Sequence, residues 1–117
     1  MAKISTHVLD MARGVAARGV DIELHRVEGE ARIAIAAATT NADGRTDRPL
    51  LQGDRMEPGV YELSFHAGDY LRRSGAALAD PPFLDVIVVR VGIADPGGQY
   101  HVPLLLSPYG YSTYRGT

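Results

Sequence analysis

Two histidines and one arginine are the side chains best suited to chemistry in this sequence. His7 lies in an otherwise apolar run near the N-terminus, His101 lies near the C-terminus, and Arg45 ends the turn Asn41-Ala42-Asp43-Gly44-Arg45. A neutral imidazole accepts a proton from water, and a guanidinium on a rigid turn presents a fixed fork of donors to a carbonyl or an oxyanion. A site that cleaves an amide requires a group placed as Arg45 is placed on this turn.

Each of these residues also has a purely structural explanation. One backbone partner satisfies a neutral histidine in a core, and many loop arginines only increase solubility. His25 lies in the polar phase of its strand and His66 lies where a strand meets a helix, so we expect surface or capping roles for both. The chain has no cysteine and no His-x-His or His-Glu-x-x-His spacing. We therefore expect no metal site and no cofactor.

The C-terminal segment is the most unusual part of the sequence. Residues 109–114 include three tyrosines, although chain termini normally fray. The tyrosines could cover a sheet edge or a subunit contact, where an amphipathic ring is well suited. An ordered tail at such a contact can also line a pocket, so the segment remains a candidate part of the site.

The elements that position these residues are mostly strands. Short alternating or β-branched runs are bounded by Gly, Pro or Asp at spacings typical of an antiparallel sandwich. One short helix is predicted within residues 67–79, with Asp69 near its start and Gly75 at its end. The predicted strands are residues 4–10, 21–28, 32–40, 59–66, 83–93 and 100–107, with a last short strand after a turn at 108–111.

Composition excludes several functional classes. A chain of 117 residues with 45% hydrophobic and 22% charged residues predicts one folded domain spanning residues 1–117. Twelve Lys and Arg against fourteen Asp and Glu give a net charge of −2, so we expect neither nucleic acid nor a membrane as partner. Polar side chains interrupt the first ten residues, which predicts a cytoplasmic protein, or a periplasmic one if a leader has been removed.

Three segments resemble the 5-hydroxyisourate hydrolases of the transthyretin-like family. They are Ser5-Thr6-His7-Val8-Leu9-Asp10, Asn41-Ala42-Asp43-Gly44-Arg45 and residues 100–117, in the family's order and at its distances. The most specific marker is Tyr114-Arg115-Gly116-Thr117, which resembles the Tyr-Arg-Gly-Ser terminus that distinguishes these enzymes from the hormone carrier transthyretin. The chain departs from the family pattern in ending with Thr117, in lacking a proline within residues 14–17, and in carrying Gln99 where many relatives have histidine.

The resemblance implies both a fold and an activity. The fold is an all-β, transthyretin-like sandwich of two four-stranded antiparallel sheets with one short helix, assembled as a homotetramer that is a dimer of dimers. The activity is metal-independent hydrolysis of the ring amide of 5-hydroxyisourate, which gives 2-oxo-4-hydroxy-4-carboxy-5-ureidoimidazoline in urate breakdown. The alternative is a non-catalytic transthyretin-like carrier of a small ligand, and a third possibility is a structural sandwich that serves protein contacts.

The resemblance also assigns roles to residues. His7 and His101 are the pair that binds and deprotonates water, with no choice made between them, and Arg45 orients the substrate and stabilises the oxyanion. His7 and Arg45 also belong to the substrate-binding set. The tail supplies further substrate contacts, with Arg115 either in the site or in a salt bridge that supports the tail; its members are Tyr114, Arg115, Gly116 and Thr117.

Overall fold

The computed structural model describes residues 2–117 as two packed β-sheets and one short α-helix. A single 3-10 turn, Gly53–Arg55, lies between two of the strands. In chain order the elements are β1 Lys3–Asp10, β2 Val15–Ala16, β3 Asp21–Glu28, β4 Ala31–Thr39, β5 Leu51–Gln52, β6 Gly59–His66, α1 Ala67–Arg73, β7 Val86–Ile93, β8 Gln99–Ser107 and β9 Gly110–Thr113.

The predicted sandwich class is confirmed, and one sheet differs in detail from the expected arrangement. The second sheet has four strands in the order β4-β3-β6-β7, all antiparallel. The first has the order β2-β1-β8-β9, gains a fifth strand because β5 pairs with β1, and contains one parallel pair, β1 with β8. Parallel neighbours need a long connection between them. Here the chain between β1 and β8 contains all four strands of the second sheet.

The core lies between the inner faces of the two sheets. Side chains alternate along β1 between half-buried and buried, so every second residue enters the core. The predicted apolar face of β6 is confirmed, because Tyr61, Leu63 and Phe65 are at most 1% exposed. Ile4 and Val8 of β1 and Leu104 and Leu106 of β8 are fully buried in the same core.

Two strand predictions show how pairing sets the final boundaries. The alanine-rich run at 32–40 has high helix propensity, yet Ala31–Thr39 is a strand because it pairs with β3 along its whole length. The run at 83–93 was expected to be a strand throughout, but β7 begins at Val86. Phe83 is exposed, and the carbonyl of Asp85 accepts a hydrogen bond from the backbone N–H of Gly68 instead of pairing in a sheet.

The helix is tied to the C-terminal end of β1 through a buried carboxylate. The Tyr70 hydroxyl donates a hydrogen bond of 2.7 Å to Asp10, and the backbone N–H of Arg13 donates one of 3.0 Å to the same carboxylate. Burial raises the pKa of Tyr70, and the hydrogen bond to Asp10 raises it further. Asp10 therefore holds α1 against the sheet.

No helix within residues 2–117 is long and apolar enough to cross a bilayer.

The turn that carries Arg45 is held by its own backbone and by β1. The side-chain oxygen of Asn41 accepts a hydrogen bond of 2.9 Å from the N–H of Asp43, and the N–H of Asn41 donates one of 2.7 Å to the carbonyl of Arg45. Gly44 has a φ of +75°, and its carbonyl accepts a hydrogen bond of 2.7 Å from the N–H of Val8. These contacts fix Arg45 beside β1.

Gly44→Ala tests whether this close approach needs a glycine. An added Cβ would lie 2.3 Å from the carbonyl oxygen of Val8, so we expect a loss of roughly 2–4 kcal/mol of unfolding free energy in urea. Gly29→Ala is the matched control, because Gly29 also has a positive φ but no atom within 4 Å of its Cβ position. It should lose only about 1 kcal/mol. Equal losses would contradict the steric argument.

Candidate active site

The parallel pairing of β1 with β8 brings the two histidine-bearing segments side by side. Ser5 lies opposite His101 in this register, and His7 lies opposite Pro103. These residues occupy the outer face of the first sheet, because their neighbours along each strand point into the core. Ser5 Oγ lies 2.9 Å from His101 Nδ1 and forms a hydrogen bond with it.

His7 contacts the turn that carries Arg45. The backbones of His7 and Arg45 form an isolated antiparallel bridge. His7 Nε2 lies 2.8 Å from the carbonyl oxygen of Asp43. Because a carbonyl oxygen only accepts, Nε2 of His7 carries the proton in this hydrogen bond.

The C-terminal tail continues along β8 after β9 ends. Thr113 pairs with Leu104, and Gly116 forms an isolated bridge with His101 in the same register. The N–H of Gly116 donates a hydrogen bond of 2.8 Å to the carbonyl of His101. A Cβ on Gly116 would lie 2.6 Å from Cδ2 of the His101 ring. The tail therefore packs on the imidazole, and only glycine leaves room for it there.

These segments border a half-open cavity of about 400 Å³ on the outer face of the first sheet. It brings together four residues that the sequence predicted for the site: Arg45, His101, Gly116 and Thr117. Sequence reasoning did not select the other lining residues, which are Lys3, Ser5, Thr6, Thr46, Asp47, Arg48, Pro49 and Gln99. Of these, Ser5 and Thr6 lie within a recognised motif and Gln99 is a noted departure from the family pattern, whereas the others carry no local signal.

Three of the predicted site residues do not line this cavity. His7 remains close to it through its bridge to Arg45. Tyr114 is 60% exposed, and Arg115 lies over the ring of Tyr100 at 4.2 Å and donates a hydrogen bond of 3.0 Å to the carbonyl of Gln99. Within the single chain, Arg115 thus supports the tail by stacking and by a backbone contact.

The remaining two histidines lie on the outer face of the other sheet. His66 is at the start of α1 but makes no capping hydrogen bond, and its Nε2 lies 2.9 Å from the Glu23 carboxylate. His25 is half-buried, with an Nδ1 that has no hydrogen-bond partner among residues 2–117. In the same part of the chain, no three His, Cys, Asp or Glu side chains are grouped closely enough to hold a metal ion.

The cavity is locally cationic although the chain carries a net charge of −2. Three cations, Lys3, Arg45 and Arg48, line it against one carboxylate, Asp47, and none of the three cations is in a salt bridge among the described residues. Burial lowers the pKa of His101, and the proximity of Arg45, of His7 in its protonated form and of Lys3 lowers it further. His101 is therefore a neutral base at pH 7, held next to cations that suit an anionic group.

The chain belongs to the HIUase/Transthyretin family, whose model matches residues 4–116. Within this family it is similar to 5-hydroxyisourate hydrolase 2 of Rhizobium meliloti, with 56% identity over 98% of this chain and 96% of that protein. It is also 56% identical to the 5-hydroxyisourate hydrolase of Pseudomonas aeruginosa, over 100% of this chain and 93% of that protein.

Solved structures show the same fold in both branches of the family. The 5-hydroxyisourate hydrolase of Klebsiella pneumoniae matches with a TM-score of 0.83 and 32% identity over 100% of both chains. Transthyretin from Sparus aurata matches with a TM-score of 0.87 and 25% identity over 99% of this chain and 97% of that one. The fold therefore does not separate hydrolase from carrier, and the residues of the cavity must do so.

A pH titration of His101 by NMR tests the electrostatics of the cavity. Because burial and nearby cations lower its pKa, the midpoint should lie below the ordinary value of about 6.5. Arg45→Gln removes one of these charges and should move the midpoint upward. Arg72→Gln makes the same charge change on α1 and should leave it unchanged. A midpoint at or above that ordinary value in the unmodified protein would contradict this picture.

Proposed function

We propose that this protein is a 5-hydroxyisourate hydrolase of urate breakdown. It opens the ring amide of 5-hydroxyisourate to give 2-oxo-4-hydroxy-4-carboxy-5-ureidoimidazoline. The observation that carries the proposal is the convergence of a neutral histidine, an arginine and the C-terminal tail on one cavity. The full-length similarity to hydrolases of this name supports it.

The first step is activation of water by a histidine. Either His7 or His101 takes a proton from water, and the resulting hydroxide attacks the ring carbonyl carbon. The C–N bond of the amide then breaks, the ring nitrogen takes up the proton, and the carbonyl carbon becomes a carboxylate. The cavity volume of about 400 Å³ is in the range that holds a small heterocycle.

Cations in the cavity stabilise the charge that this reaction creates. The backbone of Arg45 is fixed by the hydrogen bonds of its turn, and its exposed side chain lines the cavity, where the guanidinium N–H groups donate to the tetrahedral oxyanion. Lys3 and Arg48 line the same cavity without a carboxylate partner among residues 2–117 and are available to the carboxylate product. Thr117 supplies a hydroxyl for substrate contact. Tyr114 and Arg115 do not reach the cavity within one chain. They contact substrate only if a second copy brings them to its site, or they act indirectly by holding Gly116 in place.

The carrier alternative is weaker because of the chemistry of the cavity walls. A carrier of an apolar ligand needs mostly apolar walls with a few polar groups. Here the lining is charged or polar at nearly every position, including Lys3, Arg45, Arg48 and His101. These groups suit a polar heterocycle and an anionic product.

We propose that four copies assemble as a dimer of dimers. Strands β7 and β9 are edge strands, and residues from both border a second cavity of about 350 Å³, so the two edges lie along one side of the sandwich. This side exposes Val88, and the neighbouring rings of Phe83 and Tyr109 stack with centroids 6.1 Å apart while both stay exposed. Free strand edges present unpaired backbone N–H and C=O groups, and together with apolar side chains they offer a surface to which a second copy can pair.

Sedimentation equilibrium tests this assembly. The unmodified protein should sediment as a tetramer. Val88→Lys should give an assembly of lower mass, because it adds a charge to the proposed contact edge. Ile33→Lys is the matched control, since Ile33 is equally exposed, at 44%, on the opposite edge strand β4. It should remain tetrameric. A monomeric parent, or equal behaviour of the two variants, would refute the proposed edge.

Activity is tested with freshly generated 5-hydroxyisourate, whose loss of ultraviolet absorbance is compared with the spontaneous reaction. The protein should accelerate the loss, and His7→Asn or His101→Asn should lower turnover by roughly two to four powers of ten. His66→Asn lies outside the site and should be near normal. A chelator should have no effect, whereas a loss that zinc reverses would indicate a metal enzyme. No acceleration would favour the carrier.

A further inference from the structure

Within residues 2–117, the Ser5 hydroxyl is the side-chain hydrogen-bond partner of the His101 imidazole. We infer that Ser5 is a positioning residue that holds His101 in the Nδ1–H tautomer, so that His101 Nε2 is the atom that takes the proton from water. The inference rests on the proposed hydrolase function for its chemical consequence. The hydrogen bond itself is part of the structure, with 2.9 Å between Ser5 Oγ and His101 Nδ1.

The direction of this hydrogen bond follows from the charges around the ring. If Ser5 donated, the proton of neutral His101 would be on Nε2, and this N–H would face the cationic cavity. Arg45 and Lys3 act on His101 as positive charges, so a lone pair on the open side of the ring is favoured over an N–H dipole. The Nδ1–H then donates to Ser5 Oγ, which makes no other side-chain hydrogen bond within residues 2–117.

Nε2 of His101 is accessible for chemistry. No hydrogen bond is formed by this atom within the described chain, and the only buried side-chain nitrogen or oxygen without a partner there is Nδ1 of His25. The unbonded Nε2 of His101 is thus open to solvent rather than sealed in protein. His101 also lines the cavity that contains Arg45 and Thr117. A water molecule between Nε2 and a bound heterocycle would be in position for attack.

The ring of His101 is also confined by the C-terminal tail. The backbone of Gly116 packs so closely on Cδ2 that a single added carbon would lie 2.6 Å from it. A half-turn of the imidazole would exchange Nδ1 with Cδ2 and break the hydrogen bond to Ser5. The tail and Ser5 therefore hold opposite edges of the same ring.

His7 lacks this arrangement, which separates the roles of the two histidines. Its Nε2–H donates to the carbonyl of Asp43, and the residue does not line the cavity. Its donor is therefore committed to the turn that carries Arg45. In this assignment His7 positions Arg45 and His101 is the base, which resolves the choice that the sequence left open.

Nitrogen-15 NMR of histidine-labelled protein at pH 8 tests the tautomer directly, with the His101 signal assigned by its loss in His101→Asn. The unmodified protein should show Nδ1–H for His101. Ser5→Ala should shift His101 toward Nε2–H and lower kcat roughly ten- to hundredfold with little change in KM. Ser5→Thr keeps the hydroxyl and should restore both the tautomer and kcat.

Two results would overturn the inference: an Nε2–H tautomer in the unmodified protein, or an unchanged tautomer and kcat in Ser5→Ala. A purely structural role for Ser5 would lower the thermal midpoint in Ser5→Ala without moving the His101 tautomer, and this too counts against it. Failure of the proposed function looks different. A protein that does not accelerate loss of 5-hydroxyisourate still reports its tautomer, so the two ideas fail separately.

Discussion

The candidate site depends on one pairing, that of β1 with β8. These strands are parallel, with Ser5 opposite His101, and the hydroxyl of buried Thr6 donates a hydrogen bond of 2.7 Å to the carbonyl of Val102 within the same pair. A shift of one residue would move His101 to the core face, because side chains alternate along a strand. The buried alternation of β1 and β8 therefore fixes which side chains face the cavity.

The elements were easier to predict from sequence than the site. Period-two patterns predicted β3 and β6 with their observed bounds. A strand that is buried on one face alternates polar and apolar residues, and this alternation is visible in the sequence of the strand itself. Residue type and position marked His7, Arg45 and His101 as candidates, and the resemblance assigned their roles. Local patterns could not predict the partnership of Ser5 with His101, since it joins residues 96 positions apart. Nor could they place Arg115, whose position follows from the tail lying along β8 and stacking on Tyr100.

Two glycines show why the motifs contain residues that do no chemistry. Gly44 and Gly116 each bring one backbone so close to another segment that a Cβ would overlap it: the carbonyl of Val8 in one case and the ring of His101 in the other. The first contact sets Arg45 against β1, and the second sets the tail against the imidazole. The C-terminal motif thus has glycine at position 116 because any side chain there would overlap the imidazole of His101.

The same positive charges have two opposing effects on the proposed reaction. Burial lowers the pKa of His101, and Arg45 and Lys3 lower it further, which makes the imidazole a weaker base but keeps it neutral at pH 7. They also stabilise the oxyanion, which forms only when the water has been deprotonated. Because the oxyanion carries a full charge and neutral imidazole does not, the cations interact more strongly with the transition state than with the resting site. The lowered basicity of His101 is therefore offset at the step where the charge appears.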